Sequence, residues 1–179
     1  MIAHNWGKHS HPKLFNYVMN ELSKIHSIPA ISSAFLRHGF ATKAALIHAL
    51  TPGTFPRIQL VSGLTDYKGK KVFGFTPPLV TSPPKLPNGT ALIPFSICIE
   101  EILATEFQTG KPRTGNTISG KPVLKIGATI LHELCHWGDW QSHGRFTDGK
   151  TIDVDGDGTP DALLEHGEDF EFEVYGALI

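Results

Sequence analysis

The chain has 179 residues, enough for one domain with a substantial core. Hydrophobic residues make up 40% and charged residues 18%, a balance that excludes an intrinsically disordered chain. A formal net charge of −1 gives no global attraction to nucleic acid or an anionic membrane surface, and no apolar run is long enough for membrane insertion.

The N-terminus, MIAHNWGKHS, carries neither the charged nor the apolar region of a signal peptide. Export, if it occurs, is expected by a route that reads no cleavable N-terminal signal. His4, His9 and His11 read as a polar terminus. Residues 1–50 are expected to be helical: Leu14, Phe15, Val18, Met19, Leu22 and Ile25 mark one apolar face over 11–27. A second helix over 41–50 stops at Pro52-Gly53. Residues 51–110 read as strands and loops, with hairpin-like strands at Ile58–Val61 and Val72–Phe75. Phe95–Ile99 is a further strand, expected to line the cleft and pair with substrate backbone. A short helix over Glu100–Phe107 ends at Gly110-Lys111-Pro112. The chemistry falls in 123–179. No linker divides the chain, so 1–179 is expected to be a single α+β domain. Two cysteines, Cys98 and Cys135, make no disulfide framework and are expected to be buried thiols.

From Val123 to about Trp140 the spacing predicts a central helix. Leu124, Ala128, Leu131 and Cys135 share an apolar stripe; His132, His136 and Asp139 share a polar one, with Glu133 beside it. His132-Glu133-Leu134-Cys135-His136 is an HExxH motif. Imidazoles one turn apart can both reach one Zn2+ at about 2.0–2.1 Å. Glu133 stands where it can remove a proton from a metal-activated water and return it to the leaving amine. Asp139 is a candidate to orient a ligand imidazole, or a charge at the helix end.

A catalytic zinc needs a third protein ligand. The third histidine of the metzincin pattern is absent: Asp139 stands where that pattern has Gly, and His143 comes one residue late. His143 on a continuous helix lies about 10 Å from His136, too far to share its ion. The remaining source is the segment 165–176, which reads as a second helix with Glu168, Glu171 and Tyr175 on one face. Tyr175 is a candidate for electrostatic stabilisation in catalysis, or for a bond that orients Glu171. His166 could steady a tetrahedral intermediate if it faces the metal, and Glu173 reads as solvated.

HELCHWGD at 132–139 followed by FEFEVYG at 170–176 resembles the metallopeptidase toxin domains of polymorphic and type VI secretion effectors, such as the C-terminal peptidase extension of VgrG spike proteins. The likeness covers roughly the last third of the chain and weakens back to about Pro94. It implies a compact zincin-like α+β fold, a zinc metallopeptidase and Glu171 as the third zinc ligand. It also implies a secreted antibacterial role in the periplasm or envelope of a target cell, a secretion-apparatus component as carrier and a cognate immunity protein. The chain has no spike or repeat region, so the resemblance implies a stand-alone cargo or an excised domain.

Between the two helices lies Asp153-Val-Asp155-Gly-Asp157-Gly158-Thr159-Pro-Asp161. Its spacing fits a calcium loop, although the glutamate expected at position 12 is Leu164. Asp153, Asp155, Asp157, Thr159 and Asp161 are the candidate Ca2+ donors, and an ordered loop would help fix the third zinc ligand. Two other functions fit the same residues: a calcium-stabilised binding module with a vestigial zinc site, and a zinc amidohydrolase acting on a non-peptide amide.

Overall fold

A computed structural model describes residues 2–3, 10–66, 68–77, 85, 89, 91–93, 96–144, 151–152, 162–163 and 165–179. Helix α1 spans Pro12–Asn20 and opens on a proline, whose fixed φ suits a first turn. It buries Leu14 and Val18. The predicted helix over 11–27 does not run through: from Leu22 to Ser27 the chain tightens into a 3-10 helix that buries Leu22 and Ile25. Helix α2, Pro29–His38, also starts on proline. It falls in the part expected to be helical, but its bounds are not marked in the sequence, because two serines interrupt its apolar pattern. Helix α3, Lys43–Leu50, is capped by Thr42, whose hydroxyl accepts from the Ala45 N–H at 3.1 Å.

The main sheet runs β1 (Ile2–Ala3), β2 (Arg57–Val61), β4 (Ser96–Glu100), β3 (Gly74–Phe75). β1, β2 and β4 are parallel, while β3 is antiparallel to β4. β2 and β3 are therefore not partners in a hairpin; both pair with β4. The expectation that β4 would offer an edge to substrate is overturned, because both its edges are paired. The physical reason is burial on both faces. Ile97 and Ile99 join the main core, and Cys98 joins a smaller cluster with Val61, Leu64 and Leu92.

Helix α4, Glu101–Gln108, follows β4 directly. The hairpin β5–β6 (Thr114–Asn116, Pro122–Leu124) leads into α5, Lys125–His143. α5 ends at Gly144, whose φ of +69° favours glycine. The predicted apolar stripe proves too narrow. Ile126–Leu131, Glu133–Cys135 and Trp137–Asp139 are all buried, and between Ile126 and Asp139 the helix opens only at His132 and His136. The short strands β7 (Thr151–Ile152) and β8 (Ala162–Leu163) pair antiparallel. The acidic loop between them, with Asp153, Asp155, Asp157, Thr159 and Asp161, lies outside the described residues, as do His4 and His9.

Helix α6, His166–Tyr175, closes the α+β domain. It packs against α5 on one side and α2 on another. Phe170 sits at the centre of the core, its ring 4.5 Å from that of Phe35. Cys98 and Cys135 are free and buried. Burial pushes the Cys98 thiol up to about 12 and that of Cys135 well above its usual value. No helix among the described residues is long and apolar enough to cross a membrane.

Candidate metal centre

α5 presents His132 and His136 one turn apart, their Nε2 atoms 3.3 Å from each other. A third donor comes from the residue before α6. Glu165 Oε1 lies 2.7 Å from His132 Nε2 and 3.3 Å from His136 Nε2. Two edges of this triangle match those of a tetrahedron built on ~2.0–2.1 Å bonds, about 3.3 Å; the His132–Glu165 edge is at hydrogen-bond length, 2.7 Å, and would open to admit an ion. Two imidazoles and one carboxylate are the donor set of a catalytic zinc site, so the residues present fit the ion the motif implies.

Local structure explains how Glu165 gets there. It is the N-cap of α6, and with Glu168 it forms a capping box: each side chain accepts the other's backbone N–H. Glu165 is thus held at a helix start rather than on a helix face. Gly167 lets that first turn press onto the His132 ring, which a Cβ at this position would overlap.

Glu171, the residue the family resemblance points to as third ligand, occupies a different place. Its Oε1 is 2.9 Å from Nδ1 of His132, across the ring from the converging atoms, and its Oε2 accepts the Ile179 N–H at 2.6 Å. Sequence spacing put both glutamates in one acidic segment. It could not say which would face Nε2, because that depends on how α6 is capped and docked. Glutamates three residues apart at 165 and 168 are compatible with a capping box, but that pattern marks a helix start and not the atom it faces.

Glu133 is buried against β3. The Thr76 hydroxyl is 2.8 Å from its Oε2 and 2.9 Å from its main-chain carbonyl. A Cβ at Gly74 would come within 2.5 Å of Glu133 Oε1 and 2.7 Å of its Cγ, so only a glycine leaves this carboxylate its place. Burial raises the Glu133 pKa, against the pull of His132, His136 and the Thr76 hydrogen bond. Burial also disfavours the His132 imidazolium. Hydrogen bonds to Glu165 and Glu171 and the charge of Glu133 outweigh that and hold its pKa up to about 10. At Glu165 burial again opposes the charge, but His132 and His136 keep the carboxyl well below its usual range. His132 therefore holds a proton between Glu165 and Glu171 that a bound cation would displace.

The open side of the centre is a cleft of about 640 Å³. Lys70, Lys71, Phe73 and Lys125 form part of its wall, with the Lys125 ammonium 4.7 Å from the centre of the Phe73 ring. Tyr175 does not line this cleft. It packs edge-on against Phe170, and burial and the nearby Glu171 charge raise its phenol pKa. A place in contact with substrate does not follow for it. Asp139 is buried and accepts from His143 Nδ1 at 2.7 Å. His166 turns away from the cleft, with Nε2 4.0 Å from Asp139 Oδ1. Glu173 is not simply solvated: it binds Arg37 and His38.

A family model described as "Metallopeptidase toxin 3" matches residues 7–176. No curated protein and no solved structure matches the chain.

Proposed function

Since the chain belongs to the metallopeptidase toxin 3 family, we propose that it is a zinc peptidase of the HExxH type whose metal ligands are His132, His136 and Glu165. The observation that carries this reading is the triangle of two Nε2 atoms and one carboxylate oxygen, beside a buried glutamate, at the floor of an open cleft. When bound there, zinc supplies Lewis acidity toward water and toward the scissile carbonyl.

The chain's own residues do the rest. His132 and His136 offer lone pairs at Nε2. Glu171 accepts the Nδ1 proton of His132, which fixes the tautomer and ring orientation. Asp139, further along the same helix, is proposed to steady that part of α5. Glu133 takes the proton of the attacking water and passes it to the departing amine. Thr76 holds one of its oxygens, so the other is the one aimed at water. Burial brings its basicity up toward the working range. The lysine-bearing wall receives the peptide.

The decisive experiment compares wild type with Glu133→Ala. Zinc content should be equal, and peptide products identified by mass spectrometry should appear with wild type only. Stoichiometric zinc without hydrolysis by either protein would favour a binding module; products from a non-peptide amide alone would favour the amidohydrolase.

We further assign the chain a role as a secreted antibacterial effector acting in the target's envelope, met there by a cognate immunity protein. This rests on the likeness of HELCHWGD and FEFEVYG to type VI effector domains. The acidic loop 153–161 is proposed to bind calcium. Added calcium should raise the melting temperature of wild type but not of Asp155→Asn/Asp157→Asn; an equal rise in both would remove the calcium site.

A further inference from the structure

α6 carries a second set of donors outside the cleft, where its first turn meets the end of α2 and Asp139 of α5. His166, Asp169 and Glu173 follow one another at i, i+3 and i+7, a single stripe that faces the end of α2. There His38, the last residue of α2, is buried with Asp169. One ligand atom from each of His38, His166 and Asp169 lies within 4.8 Å of the other two. A cavity of about 350 Å³, lined by His38, Asp139, His143 and His166, adjoins the cluster.

We propose that His38, His166 and Asp169 form a second, structural site for a divalent transition-metal ion, tying the end of α2 to the first turn of α6. Two imidazoles and a carboxylate suit zinc, cobalt or nickel, whereas calcium and magnesium require mostly oxygen donors. The surroundings of His38 carry the assignment further. Its Nε2 is 2.8 Å from Glu173 Oε2, and the Arg37 Nε donates to that same oxygen at 2.8 Å. A ligating histidine characteristically gives its other ring N–H to a carboxylate, which fixes its tautomer. The ion then belongs at Nδ1 of His38. The adjoining cavity has room for water at the remaining corner.

Separations within 4.8 Å leave the three donors at most about 1.5 Å to close to reach the ~3.3 Å edges of a zinc tetrahedron. The partly exposed His166 is the donor that moves to supply this. The consequence for the chain is mechanical. His166 follows Glu165 directly, so an ion held here anchors the backbone that delivers the third donor to the cleft.

The test is metal counting on the whole chain, independent of catalysis. Chelated, metal-free protein is titrated with Co2+ and read by absorption, with Zn2+ content measured by elemental analysis after dialysis. Wild type should take two equivalents. His132→Ala/His136→Ala, which removes the cleft donors, should keep one. His38→Gln and Asp169→Asn should each lose the second equivalent while keeping the first. No equivalent left in folded His132→Ala/His136→Ala, or a second equivalent that survives in folded His38→Gln and Asp169→Asn, overturns the proposal and leaves a purely hydrogen-bonded cluster. Where His38→Gln fails to fold, Asp169→Asn and the count in His132→Ala/His136→Ala decide the matter. Loss of metal from His132→Ala/His136→Ala alone bears on the peptidase reading; loss from His38→Gln bears on this one.

Discussion

His132 is bonded at both ring nitrogens, to Glu165 through Nε2 and to Glu171 through Nδ1. Its raised pKa has a measurable consequence in chelated protein. A histidine whose folded pKa lies above its unfolded value stabilises the fold fully below the unfolded value, and that contribution is lost as pH rises through the folded one. For His132 the window runs from about 6.5 to about 10. Chelated wild type should therefore lose stability to urea as pH rises through this window, relative to His132→Gln. Zinc must displace the same proton, so zinc affinity should increase with pH across the window. A stability difference independent of pH would show that the carboxylates do not hold the proton. The placement of Glu165 was not legible in the sequence, because an i, i+4 spacing fixes two imidazoles on one helix but says nothing about how a distant segment docks.

At the scale of elements, α5 was readable and the sheet was not. Apolar residues at helical spacing around HExxH predict a helix, and the observed Lys125–His143 differs from expectation only at its ends. The order β1-β2-β4-β3 depends on which strand is buried on both faces, and short runs such as Ile97–Ile99 do not announce this. α2 lies in the part expected to be helical, but Ser32 and Ser33 break its apolar pattern and hide its bounds. β3 shows how an element of two residues can govern chemistry. Gly74 sits against Glu133, and Thr76 just beyond it bonds the same carboxylate. Gly74→Ala should displace Glu133 and lower kcat by about 10–100-fold, a fraction of what a positioned general base supplies. Zinc content should not change. Unchanged kcat in a folded, zinc-loaded Gly74→Ala protein would count against Glu133 as the base in this conformation.

At the scale of the molecule, one core runs from Leu14 in α1 to Phe170 in α6. The site depends on it, since α6 is set by Phe170 packing on Phe35 of α2. Phe170→Ala should destabilise the fold by about 3–5 kcal/mol, the usual cost of emptying a buried aromatic position. It should also weaken zinc binding, although Phe170 is not a donor. Denaturant unfolding and zinc titration of the same variant check both; zinc affinity at the wild-type level would mean that Glu165 is held by its cap alone. The α+β class was legible from composition and pattern, while this dependence of the centre on a remote ring pair needs the packed structure.

α6 offers Glu165 and Glu171 to one neighbouring helix and His166, Asp169 and Glu173 to another. A ten-residue rod shared in this way cannot shift toward one neighbour without changing its distance from the other. Thermodynamic reciprocity then applies: whatever factor a cation on the α2 side multiplies affinity in the cleft, a cation in the cleft multiplies affinity on the α2 side by the same factor. Occupancy at either end would thus report on the other without any group touching both.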